Sequence, residues 1–187
     1  MKLLLENFRK FLLKEESYTV MSTGIVKLDP GDAVKQAAMG VYDAQQDAIA
    51  SEGGKWLHPD HLHITLLHQK ARPEGMSGGK WKKFLKNPPL FEGQISLQEE
   101  LVKKEKDGKT SWLLYVDEDT QQQLATYIQE TLKEKGLDDE TINTLLDNEG
   151  QLLGTSDGGR RKFHISIANA PIADPEAEYA VPGENVA

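Results

Sequence analysis

Two short segments carry side chains able to move protons: His61-Leu62-His63-Ile64-Thr65-Leu66-Leu67-His68 and Phe163-His164-Ile165-Ser166-Ile167-Ala168. Both alternate apolar and polar residues, the pattern of a strand with one face in a core. Leu62, Ile64 and Leu66 would share the buried face of the first strand, leaving His61, His63 and Thr65 on the other. Phe163, Ile165 and Ile167 would do the same in the second, leaving His164 and Ser166. Each strand thus offers an imidazole and, one pleat on, a hydroxyl. Imidazole titrates near neutrality, so one neutral and one protonated ring can serve as base and acid in one reaction. The Thr65 and Ser166 hydroxyls can donate to oxygens on which negative charge grows. One such strand would read as an ordinary surface histidine; the recurrence carries the inference.

His63-Ile64-Thr65-Leu66 and His164-Ile165-Ser166-Ile167 resemble the paired His-hydrophobic-Thr/Ser-hydrophobic signature of the two-histidine (2H) phosphoesterase superfamily. That superfamily includes RNA 2′,5′-ligase-like proteins, cyclic phosphodiesterases and phage enzymes that destroy cyclic-oligonucleotide alarm signals. The resemblance covers roughly residues 17–170. It implies an α+β, two-lobed fold with antiparallel sheets lining a central cleft and helices outside. It also implies metal-independent hydrolysis, without a cofactor, of cyclic nucleotide or cyclic oligonucleotide phosphate linkages. His63 and His164 would be the acid–base pair, and Thr65 and Ser166 would contact the phosphoryl oxygens; the sequence leaves open which histidine is the acid. Two alternatives stand beside this: an RNA-processing 2′,3′-cyclic phosphodiesterase, and a catalytically idle protein that binds nucleotide or short RNA or serves as a phage structural component.

Other residues near the motifs could assist. Arg160, Arg161 and Lys162, with the backbone N–H groups of Gly158 and Gly159, could hold phosphate. Trp56, Trp81 and Tyr115 are candidates for stacking on a base, although burial is the commoner fate of such rings. His61 shares a strand face with His63 and could border the site, whereas His58 falls in a loop and His68 ends the strand on the core parity. A zinc site is the sharpest rival, since His61-Leu62-His63 is an HxH pair. The metallo-β-lactamase pattern continues with an aspartate where Thr65 stands, and the chain has no cysteine, so no metal ligand set is assigned. Gly53-Gly54-Lys55-Trp56 and Gly78-Gly79-Lys80-Trp81 lack the spacing and hydroxyl of a P-loop, and no GxSxG elbow occurs.

Charge narrows the substrate. The chain carries a net −8, which argues against a general nucleic-acid coat protein. Its cations nevertheless gather near the motifs in sequence. Lys70, Arg72, Lys80, Lys82, Lys83 and Lys86 stand against the single Glu74, and Arg160, Arg161 and Lys162 precede His164. Such clusters on an acidic molecule suit a small anionic substrate, though Lys80 to Lys86 could equally be a solvated helix face.

The elements that must position these residues follow from periodicity and turn residues. Residues 1–16 read as an amphipathic helix and 18–28 as a strand. Asp29-Pro30-Gly31-Asp32 is a turn with Asp32 as N-cap, followed by a helix over 33–50 that Gly53 and Gly54 end. A strand over 61–68 and a helical segment over 80–85 come next. Strands over 91–104 and 110–118 are joined through Asp107-Gly108, a hairpin signal. Helices over 120–135 and 139–146, a glycine-rich loop over 154–159, a strand over 161–169 and a loose tail over 171–187 complete the chain. The order suggests two similar halves, each ending in a histidine-bearing strand, within one domain over 17–170.

No run approaches 18 apolar residues, so no membrane partner is expected, and the absence of cysteine fits a reducing cytoplasm. Leu3-Leu4-Leu5 is broken by Glu6 and Arg9, unlike a signal peptide. The start instead resembles leader segments of tailed-phage proteins, with Leu13-Lys14-Glu15 matching a Leu-x-Glu cleavage pattern. On that reading the enzyme would serve phage counter-defence in the host cytoplasm.

Overall fold

Seven strands form one antiparallel sheet in a computed structural model of the protein, which describes residues 18–20, 26–67, 72–106, 108–147 and 162–170. In chain order the elements are β1 (Tyr18–Val20), β2 (Val26–Leu28), α1 (Asp32–Ser51), β3 (Lys55–Trp56), a 3₁₀ turn (Pro59–His61) and β4 (Ile64–Leu67). They continue with α2 (Gly78–Phe84), β5 (Leu97–Lys106), β6 (Lys109–Val116), α3 (Glu118–Glu134), α4 (Asp139–Asp147) and β7 (His164–Ala170). The architecture is α+β.

The sheet runs β1-β2-β4-β7-β6-β5, with β3 adding to β7 beyond β4. Read from the centre outward, this is one three-stranded unit written twice. β1, β2, α1 and β4 in the first half correspond to β5, β6, α3 and β7 in the second, and β4 meets β7 at the seam through Ile64 and Ile165.

The alternation read from the sequence decides which face is which. Leu62, Ile64, Leu66, Phe163, Ile165 and Ile167 are all buried, with Ile64, Leu66, Ile165 and Ile167 fully so. All four helices bury residues in this one core: Ala38 and Ile49 from α1, Trp81 from α2, Leu124, Ile128 and Leu132 from α3, and Ile142 and Leu145 from α4. The α3 stripe recurs every fourth residue, and Asp117 caps that helix by accepting from the Thr120 N–H at 2.8 Å. Gly54 is needed where α1 turns into β3, because a Cβ there would overlap Ile49 and lie 2.7 Å from Trp112. His63, Thr65, His164 and Ser166 lie on the opposite face, half-buried.

A β-bulge follows each histidine motif. Lys27 pairs with Thr65 but Val26 pairs with Leu67, so Leu66 is the extra residue in β4. Leu113 pairs with Ser166 but Trp112 pairs with Ala168, so Ile167 is the extra residue in β7. Each bulge resets the parity, which is why Leu66-Leu67 and Ile167-Ala168 are consecutive buried pairs.

Several elements depart from the sequence reading. Residues 18–28 hold two strands, β1 and β2, paired antiparallel, instead of one. The helix α1 starts at Asp32 with Gly31 at its N-cap, at φ 79°, because Asp29 accepts from the Gly31 N–H and pairs with Lys35 at 2.8 Å. The strand expected over 61–68 begins only at Ile64, since Pro59 favours a 3₁₀ turn that takes in His61. The strand expected from 91 begins at Leu97. The hairpin stands, with Lys106 paired to Lys109 and Gly108 at φ 73°. The segment 1–16, the glycine-rich loop 154–159 and the tail 171–187 lie outside the described residues. Among those described, no helix is long and apolar enough to cross a membrane.

Candidate active site

The seam between β4 and β7 builds the site. Ile64 is the direct partner of Ile165, with both side chains in the core. In an antiparallel ladder the next residues outward face one another, which sets His63 across from Ser166 and Thr65 across from His164. Each imidazole therefore opposes a hydroxyl. The two histidines occupy a diagonal, for which the ordinary cross-strand separation is about 7–8 Å.

Each ring is held in the same way. His63 Nδ1 lies 2.7 Å from the His61 carbonyl oxygen, and His164 Nδ1 lies 2.9 Å from that of Lys162. A carbonyl only accepts, so Nδ1 carries the donated proton in both rings and Nε2 is the basic nitrogen of each neutral ring. The repetition of this bond two residues upstream extends the likeness of the halves from topology to side-chain tautomer.

The supports differ. His61 N–H donates to the His58 carbonyl at 2.8 Å and Leu62 N–H to that of Pro59 at 3.1 Å, so the 3₁₀ turn delivers the His61 carbonyl. On β7, Gln121 of α3 grips the residue before His164: its Nε2 donates to the Phe163 carbonyl and its Oε1 accepts from the Phe163 N–H, each at 2.8 Å. Val116 N–H also donates to that carbonyl at 3.1 Å.

Burial holds the His63 imidazole below its usual 6.5, and the charges of Lys27 and His61 act in the same direction against the Nδ1 bond. Lys27 of β2 is the cross-strand partner of Thr65, and alternation with the buried Val26 and Leu28 puts it on the histidine face. Burial also lowers its ammonium from the usual 10.5. Beside the second histidine, Tyr115 pairs with His164 across β6 and β7 and meets its ring edge-on at 5.9 Å between centroids. Lys104 and Lys162 stand over the Tyr115 ring at 5.7 and 5.9 Å.

Of the residues singled out in the sequence, His63, Thr65, His164 and Ser166 are thus brought together, with Tyr115 and Lys162 beside them. Trp56 is not: it pairs with the buried Ala168 and packs on Tyr42 of α1, at 4.1 Å between centroids, on the core face. Trp81 is also in the core, stacked on Phe84. His61 contributes its carbonyl; its ring sits in the 3₁₀ turn, edge-on to the exposed His58 at 6.0 Å, and shares no strand face with His63. Among the described residues no three His, Asp or Glu side chains gather to hold a metal. Arg160, Arg161, Gly158, Gly159 and His68 lie outside the described residues. The lysine-rich α2 enters the fold through Trp81 and the adjoining Leu85, so its backbone packs on the helix side of the sheet.

Lys27 and Gln121 were not selected from the sequence. Val26-Lys27-Leu28 does carry the alternation that points Lys27 away from the core, but no local signal names β4 as its neighbour. Scanned against family models, curated proteins and solved structures, the chain matches none of them.

Proposed function

We propose that this protein is a metal-independent phosphodiesterase of the 2H type that hydrolyses cyclic nucleotide or cyclic oligonucleotide phosphate linkages. In this reading the two halves of the sheet act as two lobes, each bringing one histidine to a shared cleft. The observation that carries it is the register at the seam, which opposes each imidazole to a hydroxyl while both Nδ1 atoms are tied to carbonyls.

The chemistry follows from those positions. One neutral Nε2 takes a proton from an attacking water as the new O–P bond forms. The other Nε2, protonated, gives its proton to the leaving oxygen as the old P–O bond breaks. The products are a phosphomonoester and a hydroxyl, and one proton exchanged with solvent resets both rings. Thr65 and Ser166 donate to the non-bridging oxygens, where charge increases.

The test is a hydrolysis panel of cyclic dinucleotides, cyclic trinucleotides, 2′,3′-cyclic nucleotides and 2′,5′-linked oligonucleotides, run after exhaustive chelation. Turnover of at least one cyclic substrate is expected, undiminished by EDTA. Activity lost to EDTA and restored by zinc would overturn the two-histidine mechanism, and binding without turnover across the panel would favour an idle nucleotide sensor.

A further inference from the structure

The two halves match in sheet order, bulge position and the Nδ1–carbonyl bond of each histidine, so a difference beside the hydroxyls is informative. The cross-strand partner of Thr65 is Lys27, and the equivalent partner of Ser166 is Leu113. One half therefore presents an ammonium to the site where the other presents an aliphatic chain. Lys27 pairs with Thr19 of β1 and with Thr65 of β4, so it stands on an inner strand, partly buried, with its charge acting on His63. The carboxylate closest in sequence, Asp29, is engaged by Lys35 and by the Gly31 N–H. Among the described residues no carboxylate pairs with Lys27.

A partly desolvated ammonium without an anionic partner is unfavourable unless an anion arrives. The anion that fits this place is a phosphoryl group lying between His63 and His164, because Lys27 is one strand away from the hydroxyl that faces it. We propose that Lys27 is a further phosphoryl contact, donating from its ammonium to a non-bridging oxygen, and that its position beside His63 makes His63 the general base and His164 the general acid. This rests on the phosphodiesterase reading only for the roles of the histidines; the anion contact stands by itself. In the reaction His63 Nε2 accepts the proton of the attacking water, His164 Nε2–H protonates the leaving oxygen, and Lys27 keeps its own proton throughout. Besides Lys27 from β2, the charge that acts on the His63 ring is that of His61 from its own segment, and the register of the seam sets Ser166 and His164 of β7 on the same face.

The direct experiment titrates the full chain with inorganic phosphate while following both imidazoles by NMR, in the unsubstituted protein, Lys27→Gln and Lys27→Arg. The histidine resonances of the unsubstituted protein should shift, Lys27→Gln should weaken phosphate by about tenfold or more, and Lys27→Arg should retain most of the affinity. The His63 titration should move upward in Lys27→Gln, and that of His164 should move less. No phosphate-induced shift in the unsubstituted protein, or equal phosphate affinity in Lys27→Gln, overturns the contact. If the hydrolysis panel still turns over in that case, the phosphodiesterase reading survives alone. Lys27-dependent phosphate binding without turnover of any panel member keeps the anion contact and sinks the hydrolase. A His164 ring that titrates below His63 overturns the assignment of base and acid.

Discussion

An imidazole can accept a proton only while it is still neutral, and burial, with the charge of Lys27, favours that state at His63. The acidic limb of the rate–pH profile should therefore fall below 6.5, where an exposed histidine would turn, and Lys27→Gln should raise it. The same shift has a stability consequence. Because the folded value lies below the unfolded one, the unfolded chain takes up the proton first as pH falls through 6.5. Stability should decline from there down to the folded value of His63, and His63→Gln should flatten that part of a denaturation–pH curve. His63→Ala and His164→Ala should each reduce turnover by about 10²–10⁴-fold in steady-state assays, the usual worth of a positioned acid or base. Thr65→Ala and Ser166→Ala should cost less, since each removes one donor and leaves proton transfer intact.

At the scale of elements, precision comes from how each strand is started and bulged. β7 begins beside α3, and Gln121 closes two bonds on the backbone of Phe163. Gln121→Ala would leave that backbone less satisfied, at a cost of about 1–3 kcal/mol. Thermal unfolding should show the loss, and turnover should fall with KM little changed, because the His164 ring is displaced while the phosphate contacts proposed for β2 and β4 remain. An unchanged kcat in this variant would show that β7 is positioned by the sheet alone. The paired bulges act in the opposite sense: they end the polar alternation after Thr65 and Ser166, returning both strands to the core within one residue.

For the whole molecule, a net −8 surrounds a site beside which three cations stand among the described residues, Lys27 next to His63 and Lys104 and Lys162 over the Tyr115 ring that meets His164. Three cations neutralise about three phosphates, so log affinity for a short oligonucleotide should fall with log salt at a slope no steeper than about −3. Long structured RNA should bind weakly at physiological salt. A slope near −6 or beyond in fluorescence titrations would mean a far larger cationic surface, and with it a polymer-binding role.

What could be read from the chain alone was whatever a local period encodes. The alternation of Leu62, Ile64 and Leu66 with His63 and Thr65, and of Phe163, Ile165 and Ile167 with His164 and Ser166, put the chemistry on one face and the core on the other. The α3 stripe and the hairpin signalled before Lys109 are equally local, and the helix and the Lys106–Lys109 pairing both occur. Strand pairing is not local. That β4 lies against β7 with Ile64 opposite Ile165, that Lys27 stands beside Thr65, and that Trp56 faces α1 are long-range choices set by burying one shared core. His61 shows the limit most clearly. Its period agreed with a strand, but Pro59 and the packing of Leu62 placed it in a 3₁₀ turn, from which its carbonyl anchors the His63 ring.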